Sequence, residues 1–168
     1  MKRILIIGSS GAGKSTLARK MAQARGLHFV SLDHLFWLPG WVERDKNAFD
    51  ALLDVELKKD AWVMEGNYNR TIPKRLQYAD TVILLDTNRF LCAFRAIKRW
   101  LRQEGVQAKG CPQKVDLEFL KYILWDYPRR HRPVTKAMMK NPQYAHINWI
   151  VLKNAQDSVS FYEEAQNK

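Results

Sequence analysis

Ile4-Leu5-Ile6-Ile7-Gly8-Ser9-Ser10-Gly11-Ala12-Gly13-Lys14-Ser15-Thr16 is the stretch on which the reading of this chain turns. Four aliphatic residues run into Gly8, and positions Gly8 to Ser15 read G-x-x-x-x-G-K-S. The apolar run predicts a buried strand, and Ser15 to Ala22 reads as a helix. A glycine-rich turn between strand and helix lets consecutive backbone N–H groups face inward as an anion cradle, reinforced by the positive end of the helix. Lys14 can then reach the β- and γ-phosphates of a nucleotide, and the Ser15 hydroxyl can sit on Mg2+. The predicted nucleotide contacts are therefore Gly8, Ser9, Ser10, Gly11, Ala12, Gly13, Lys14, Ser15 and Thr16. An ordinary strand-to-helix turn has no need of Lys and Ser directly after its last glycine. A dinucleotide-binding fingerprint fits worse, because Thr16 stands where the third glycine belongs. Asp33, at the right distance for a ribose ligand, is then a false lead.

The remainder of the chain bounds what this motif can serve. A length of 168 residues predicts one domain, 1–168, large enough for a core. A hydrophobic content of 46% argues against disorder. No apolar run approaches membrane-spanning length, and Gly8 ends the first one too early for a signal peptide. Cys92 and Cys111 have neither metal-ligand nor disulfide-framework spacing, which suits a reduced, cytoplasmic setting. The net charge of +11 invites a nucleic-acid or membrane-surface hypothesis. Residues 87–140 carry 13 Lys/Arg against 4 Asp/Glu, so most of that excess lies in one region.

Strands are predicted at 3–7, 27–31, 61–64, 81–85 and 149–152, alternating with helices. Gly26 stops the first helix, Asp45 caps the second, and residues 75–78 close a short third. Residues 32–41 are expected as a loop, with Pro39-Gly40 as a turn. A long helix after Asp86 puts Phe90, Phe94, Ile97 and Leu101 on one face, with Asp86 expected to cap it. Residues 103–114, with Gly105, Gly110 and Pro112, read as a mobile insertion, and 103–127 as a helical, lid-like one. Helices flanking Pro128 and Pro133 and a closing helix through Phe161 and Tyr162 complete the pattern. Alternation of this kind predicts an α/β fold of three layers, with a five-stranded parallel sheet between helices in the order 2-3-1-4-5.

Ligands in open α/β sheets collect at the carboxyl ends of strands, so the residues there choose the chemistry. Asp33, after the second strand, can orient or deprotonate an acceptor hydroxyl. Phe36, Trp37 and Trp41 can close a pocket or stack a base, and His34 reads as structural or exposed. Glu65, ending the third strand, can organise Mg2+ through water; Tyr68 can wall a pocket; Arg70 can bind an anionic acceptor. Arg95, Arg99 and Arg102 share a helical face, and Arg129, Arg130 and Arg132 form a second cluster. Arginines on both sides of an insertion suit stabilisation of a transferring phosphoryl group, with Arg99 and Arg129 as the catalytic candidates beside Lys14 and Asp33. A solvated basic face is the plain alternative.

With these residues assembled, the chain resembles the adenylate-kinase-like P-loop kinases. Glu65-Gly66-Asn67-Tyr68-Asn69-Arg70-Thr71 is similar to that family's Asp-Gly-Phe-Pro-Arg-Thr segment, one residue longer and with Glu for Asp. The likeness implies acceptor-phosphate binding by Arg70. The chain resembles more closely the bacterial DNA topology modulation proteins, or topology modulation kinases. Leu32-Asp33-His34-Leu35-Phe36-Trp37, Pro39-Gly40-Trp41, Gly66-Asn67-Tyr68, Gly110-Cys111-Pro112, Phe119-Leu120-Lys121 and Tyr127-Pro128-Arg129 carry that likeness. It implies phosphoryl transfer from ATP·Mg2+, and by name an influence on DNA supercoiling. The reading is a kinase with a small-molecule or nucleotide acceptor held by Asp33, Trp37, Tyr68 and Arg70. Its rival is a DNA-binding regulator that uses the nucleotide as a switch, although no DNA-reading module is evident.

Overall fold

β1 (Arg3–Gly8) is the middle strand of a five-stranded parallel sheet in the computed structural model, which describes residues 1–103 and 108–153. The chain continues through α1 (Lys14–Arg25), β2 (His28–Ser31), α2 (Leu32–Phe36), β3 (Trp37–Leu38), β4 (Val42–Glu43) and α3 (Lys46–Leu57). β5 (Trp62–Glu65), α4 (Ile72–Leu76), β6 (Thr81–Leu85) and α5 (Arg89–Leu101) follow. α6 (Leu117–Lys121) runs into a π-helical segment (Tyr122–His131) and α7 (Arg132–Met139), before β7 (Asn148–Leu152) closes the sheet.

The strand order β2-β5-β1-β6-β7 is the expected 2-3-1-4-5, because the short antiparallel pair β3–β4 adds two to the count. That pair and α2 occupy the stretch expected as a loop. Trp37 pairs with Glu43 and Leu38 with Val42 across the Pro39-Gly40 turn. In the insertion residues 108–116 are coil and helix begins at Leu117; the difference from expectation is that Leu117–Met139 is one helical run with Pro128 inside it, where separate helices are expected to flank that proline. Gly105 and the closing helix through Phe161 and Tyr162 lie outside the described residues.

Alternation along buried strands builds two cores. Leu5, Ile7, Trp62, Met64, Val82 and Leu84 face one side, with Phe49, Leu53 and Leu57 of α3. Ile4, Ile6, Val63, Ile83 and Leu85 face the other, with Leu17, Ala18 and Met21 of α1. A strand covered on both faces must be apolar at every position, and that is why β1 reads as a continuous aliphatic run. Truncating a fully buried leucine such as Leu53 to alanine costs about 2–5 kcal/mol.

α5 buries a different face from the one its large residues suggested. Phe90, Phe94 and Leu101 are exposed, while Cys92, Ala93 and Ala96 are buried. Small residues here let the helix approach the glycine turn closely. A Cβ on Gly11 would lie 2.2 Å from the Cys92 carbonyl oxygen. Asn88, not Asp86, caps α5 by accepting from the Phe90 N–H at 2.9 Å. Asp86 instead holds Arg132 at 2.6 Å and Lys136 at 2.8 Å, tying α7 to the end of β6.

Candidate active site

Parallel registry brings the chemistry-bearing strand ends together. Ser31 lies opposite Glu65, Glu65 opposite Ile6, and Gly8 opposite Leu85. The segments after β1, β2 and β5 therefore open at one edge of the sheet.

The turn from β1 into α1 has the backbone that its glycines dictate. Gly11 and Gly13 take φ of 80° and 99°, values that L-residues with a side chain seldom adopt. Gly13 is the N-cap and brings no side chain to the first turn of α1, which leaves backbone N–H groups open to a ligand. Lys14 curls back and donates to the Ser9 carbonyl at 3.1 Å. Ser15 and Thr16 are exposed on the same pocket, which Asp33, Glu65, Arg95 and Arg99 complete. Arg102, predicted on the same face, is exposed and does not line this pocket.

The oxygens of Ser15, Asp33 and Glu65 around this pocket are hard donors of the kind that Mg2+ takes, usually through water and substrate phosphates. The donor set fits the ion. Glu65 is almost fully buried and accepts a hydrogen bond from the Ser31 hydroxyl at 2.8 Å.

A second cavity, of about 430 Å³, adjoins the first and shares Ser10, Lys14 and Asp33 with it. Its further walls include Trp37, Trp41, Tyr68 and Tyr122. The Tyr68 hydroxyl donates to Asp33 Oδ1 at 2.8 Å. Burial, and then the neighbouring Glu65 carboxylate, push the Asp33 carboxyl above the ordinary range, against the lowering effect of Tyr68 and Lys14. A carboxylate of that kind is a better proton acceptor than an exposed one. Burial likewise makes the Tyr68 hydroxyl harder to ionise, so it stays a donor. Trp37 and Trp41 meet edge to face with centroids 5.3 Å apart. Phe36 packs at 4.9 Å from Trp37 and 5.4 Å from Phe49, connecting the cavity wall to the core.

The hairpin that brings Trp37 and Trp41 to this cavity is held by residues some seventy positions away. Gly40 N–H donates to the Gly110 carbonyl at 3.0 Å, and Trp41 Nε1–H donates to Pro112 at 3.1 Å. The Cys111 thiol donates to the Leu38 carbonyl at 3.3 Å. Residues 108–112 thus form a strap against the β3–β4 hairpin, and a Cβ on Gly110 would come 2.8 Å from the Pro39 Cβ.

Two predicted site residues are not brought here. Arg70 lies outside both cavities, where both ends of its guanidinium bind Asp50 at 2.7 Å. Arg129 is exposed beside Trp125 and Arg130 on the outward side of the π-helical segment, because Tyr122, Ile123 and Tyr127 take the inward side. Lys14, Asp33, Arg99, Trp37, Tyr68, Ser15 and Glu65 do converge.

Three contributors escaped the sequence reading. Arg75 is fully buried and donates to the carbonyls of Gly66, Asn67 and Tyr68, fixing the loop that carries Tyr68. Burial draws its guanidinium down to about 9. Asn67 accepts from Gly8 N–H at 3.2 Å and donates to the Tyr122 hydroxyl at 2.9 Å, joining the glycine turn to the π-helical segment. His131 closes that network through Asn69 and packs against Tyr122 at 5.4 Å. Only the neighbouring Gly-Asn-Tyr pattern hinted at Asn67; nothing local marked Arg75 among 28 basic residues.

Among the described residues no helix is long and apolar enough to cross a membrane. The chain shares its fold with solved kinase structures. A shikimate kinase from Acinetobacter baumannii, in complex with shikimate, superimposes with a TM-score of 0.66 at 18% identity, over 98% of this chain and 90% of that one. A gluconokinase from Sinorhizobium meliloti 1021 gives 0.56 at 16% identity, over 99% and 90%. A sugar kinase from Janibacter sp. HTCC2649 gives 0.55 at 17% identity, over 99% and 93%. No curated protein matches the chain. The fold is thus that of the P-loop kinases, with the parallel sheet and glycine turn described above. A family model described as an AAA domain matches residues 4–121, well over half of the sequence, and the chain belongs to that family.

Proposed function

We propose that this protein is a cytoplasmic kinase, a single domain over 1–168, that transfers the γ-phosphoryl group of ATP to a hydroxyl of a small acceptor. The observation that carries the reading is the meeting of two cavities at Lys14 and Asp33. One has the anion cradle, and the other is walled by aromatic rings. ATP would place its phosphates on residues 8–16, with Lys14 reaching the β- and γ-phosphates. Ser15, and Glu65 through water, would hold Mg2+, which supplies charge neutralisation on the phosphates when bound. The acceptor oxygen attacks the γ-phosphorus, the bond to the β–γ bridging oxygen breaks, and ADP leaves. The acceptor proton passes to Asp33 Oδ2, since Oδ1 is engaged by Tyr68. Arg95 and Arg99, on the cradle side, would balance charge on the phosphoryl group in flight.

The kinase names among the structural neighbours support this reading at the level of fold. The Asp-x-x-Phe-Trp and Gly-Asn-Tyr segments support placement near the topology modulation kinases within it. Of the basic residues in 87–140, Arg132 and Lys136 close on Asp86, Arg130 on Asp126, and Lys114 on Asp116; the charge excess alone favours no DNA-binding reading over the kinase one. ADP release that depends on an added acceptor, measured with ATP·Mg2+ across nucleosides, nucleotides and hydroxylated metabolites, tests the proposal. Acceptor-independent hydrolysis alone, or no nucleotide binding, would overturn it.

A further inference from the structure

Within the kinase reading, on which this rests, we infer that the acceptor is an uncharged ring compound bearing hydroxyl groups, not a phosphate monoester or a carboxylate. The cavity that adjoins the anion cradle is built for such a molecule. Trp37, Trp41, Tyr68, Phe119 and Tyr122 give it aromatic walls on several sides. Its volume of about 430 Å³ accommodates one sugar ring or one nucleoside.

Charge decides the class. Among the described residues no arginine lines this cavity. Arg70 is spent on Asp50, and Arg75 gives its guanidinium to three backbone carbonyls. Arg95 and Arg99 serve the cradle side. Two lysines line the cavity. Lys14 belongs to the glycine turn, and Lys114 Nζ lies 2.9 Å from Asp116 Oδ2. The carboxylates of Asp33 and Asp116 complete the wall. An anionic group on the acceptor would lose part of its water and find no guanidinium in this cavity, with Lys14 committed to the nucleotide phosphates and Lys114 already paired with Asp116. Hydroxyl groups meet the opposite situation: carboxylate oxygens accept from them, and the flat faces of the ring rest on indole and phenol.

The test compares each neutral compound with its anionic counterpart: adenosine with AMP, and glucose with glucuronate. Nucleotide binding is measured separately by calorimetry with AMP-PNP·Mg2+, so the two proposals fail separately. Absence of AMP-PNP binding overturns the kinase reading. With AMP-PNP bound, kcat/KM at least ten-fold higher for the neutral member in every pair that accepts phosphate supports the inference. The sugar and nucleoside arms tell which source supplies the ring. Equal or better transfer to the anionic members, or transfer to none of the four, overturns it. Asp116→Asn sharpens the result, because asparagine still caps α6 through the Phe119 N–H while Lys114 loses its partner. Discrimination against the anionic member should then fall about ten-fold. Unchanged discrimination would show that charge in this cavity does not select the acceptor, and would overturn the inference.

Discussion

The two halves of the site are made in opposite ways. The phosphate side is local: Gly8 to Thr16 follow one another, and their backbone alone forms the cradle. The acceptor side is assembled from four separate places: the end of β2, the β3–β4 hairpin, the loop after β5, and residues 114–122. The first half needs glycine and a helix start, which are properties of consecutive residues. The second needs elements that the sheet order and the strap bring into register. The first half should therefore fail all at once when one residue changes, and the second by degrees.

The largest effect is expected on the phosphate side. Lys14→Ala removes the cation aimed at the transferring group, and kcat/KM should drop about 10³-fold. Far-UV circular dichroism should be unchanged, since Lys14 is half-buried and its ammonium donates to the nearby Ser9 carbonyl within the same turn. Retained turnover in a folded variant would dissolve the contrast between the two halves.

Asp33→Asn stands where they meet. It should lower kcat about 10²-fold while leaving AMP-PNP affinity near wild type. Stability should move the other way. A carboxyl raised in the folded state favours folding below its unfolded range near pH 4, and that contribution is lost as pH rises. Replacing it by a neutral amide should raise Tm at pH 7 by about 2 °C in a thermal melt.

Arg75→Met tests whether the acceptor side depends on remote support. Three carbonyls would lose a buried charged donor, at a cost of about 3 kcal/mol in urea unfolding. Acceptor KM should rise more than ATP KM, since the Gly66–Tyr68 loop faces the acceptor.

Gly110→Ala addresses the strap. Its φ of 76° and the nearness of Pro39 resist a side chain, so the strap should lift from the hairpin and acceptor KM should rise about ten-fold. Equal changes in both substrates' KM would mean that the strap serves the whole site. The smallest effect belongs to Tyr68→Phe. Its hydroxyl lowers the Asp33 carboxyl, so its loss should move the acid limb of the kcat/KM profile to higher pH. A limb that stays in place would remove Asp33 from the proton transfer.

The sequence by itself determined the sheet, its order and the cradle. Strand burial on two faces demands the apolar runs at Ile4–Ile7 and Val82–Leu85, and the glycine turn between β1 and α1 is written in consecutive residues. It also marked Asp33, Trp37 and Tyr68, because strand ends follow from strand positions. Lys14 and Arg99 were also marked, but tertiary structure decided which of the other arginines reach the site. Arginine carries the same charge wherever it stands, and its long side chain goes to whichever acceptor packing leaves nearest. Arg70 found Asp50, Arg132 found Asp86, and Arg75 found three carbonyls, whereas Arg95 and Arg99 reached the cradle. The meeting of Gly40-Trp41 with Gly110-Pro112 was likewise beyond local reading, since both contacts end on backbone carbonyls some seventy residues away, and a carbonyl is present at every position of a chain.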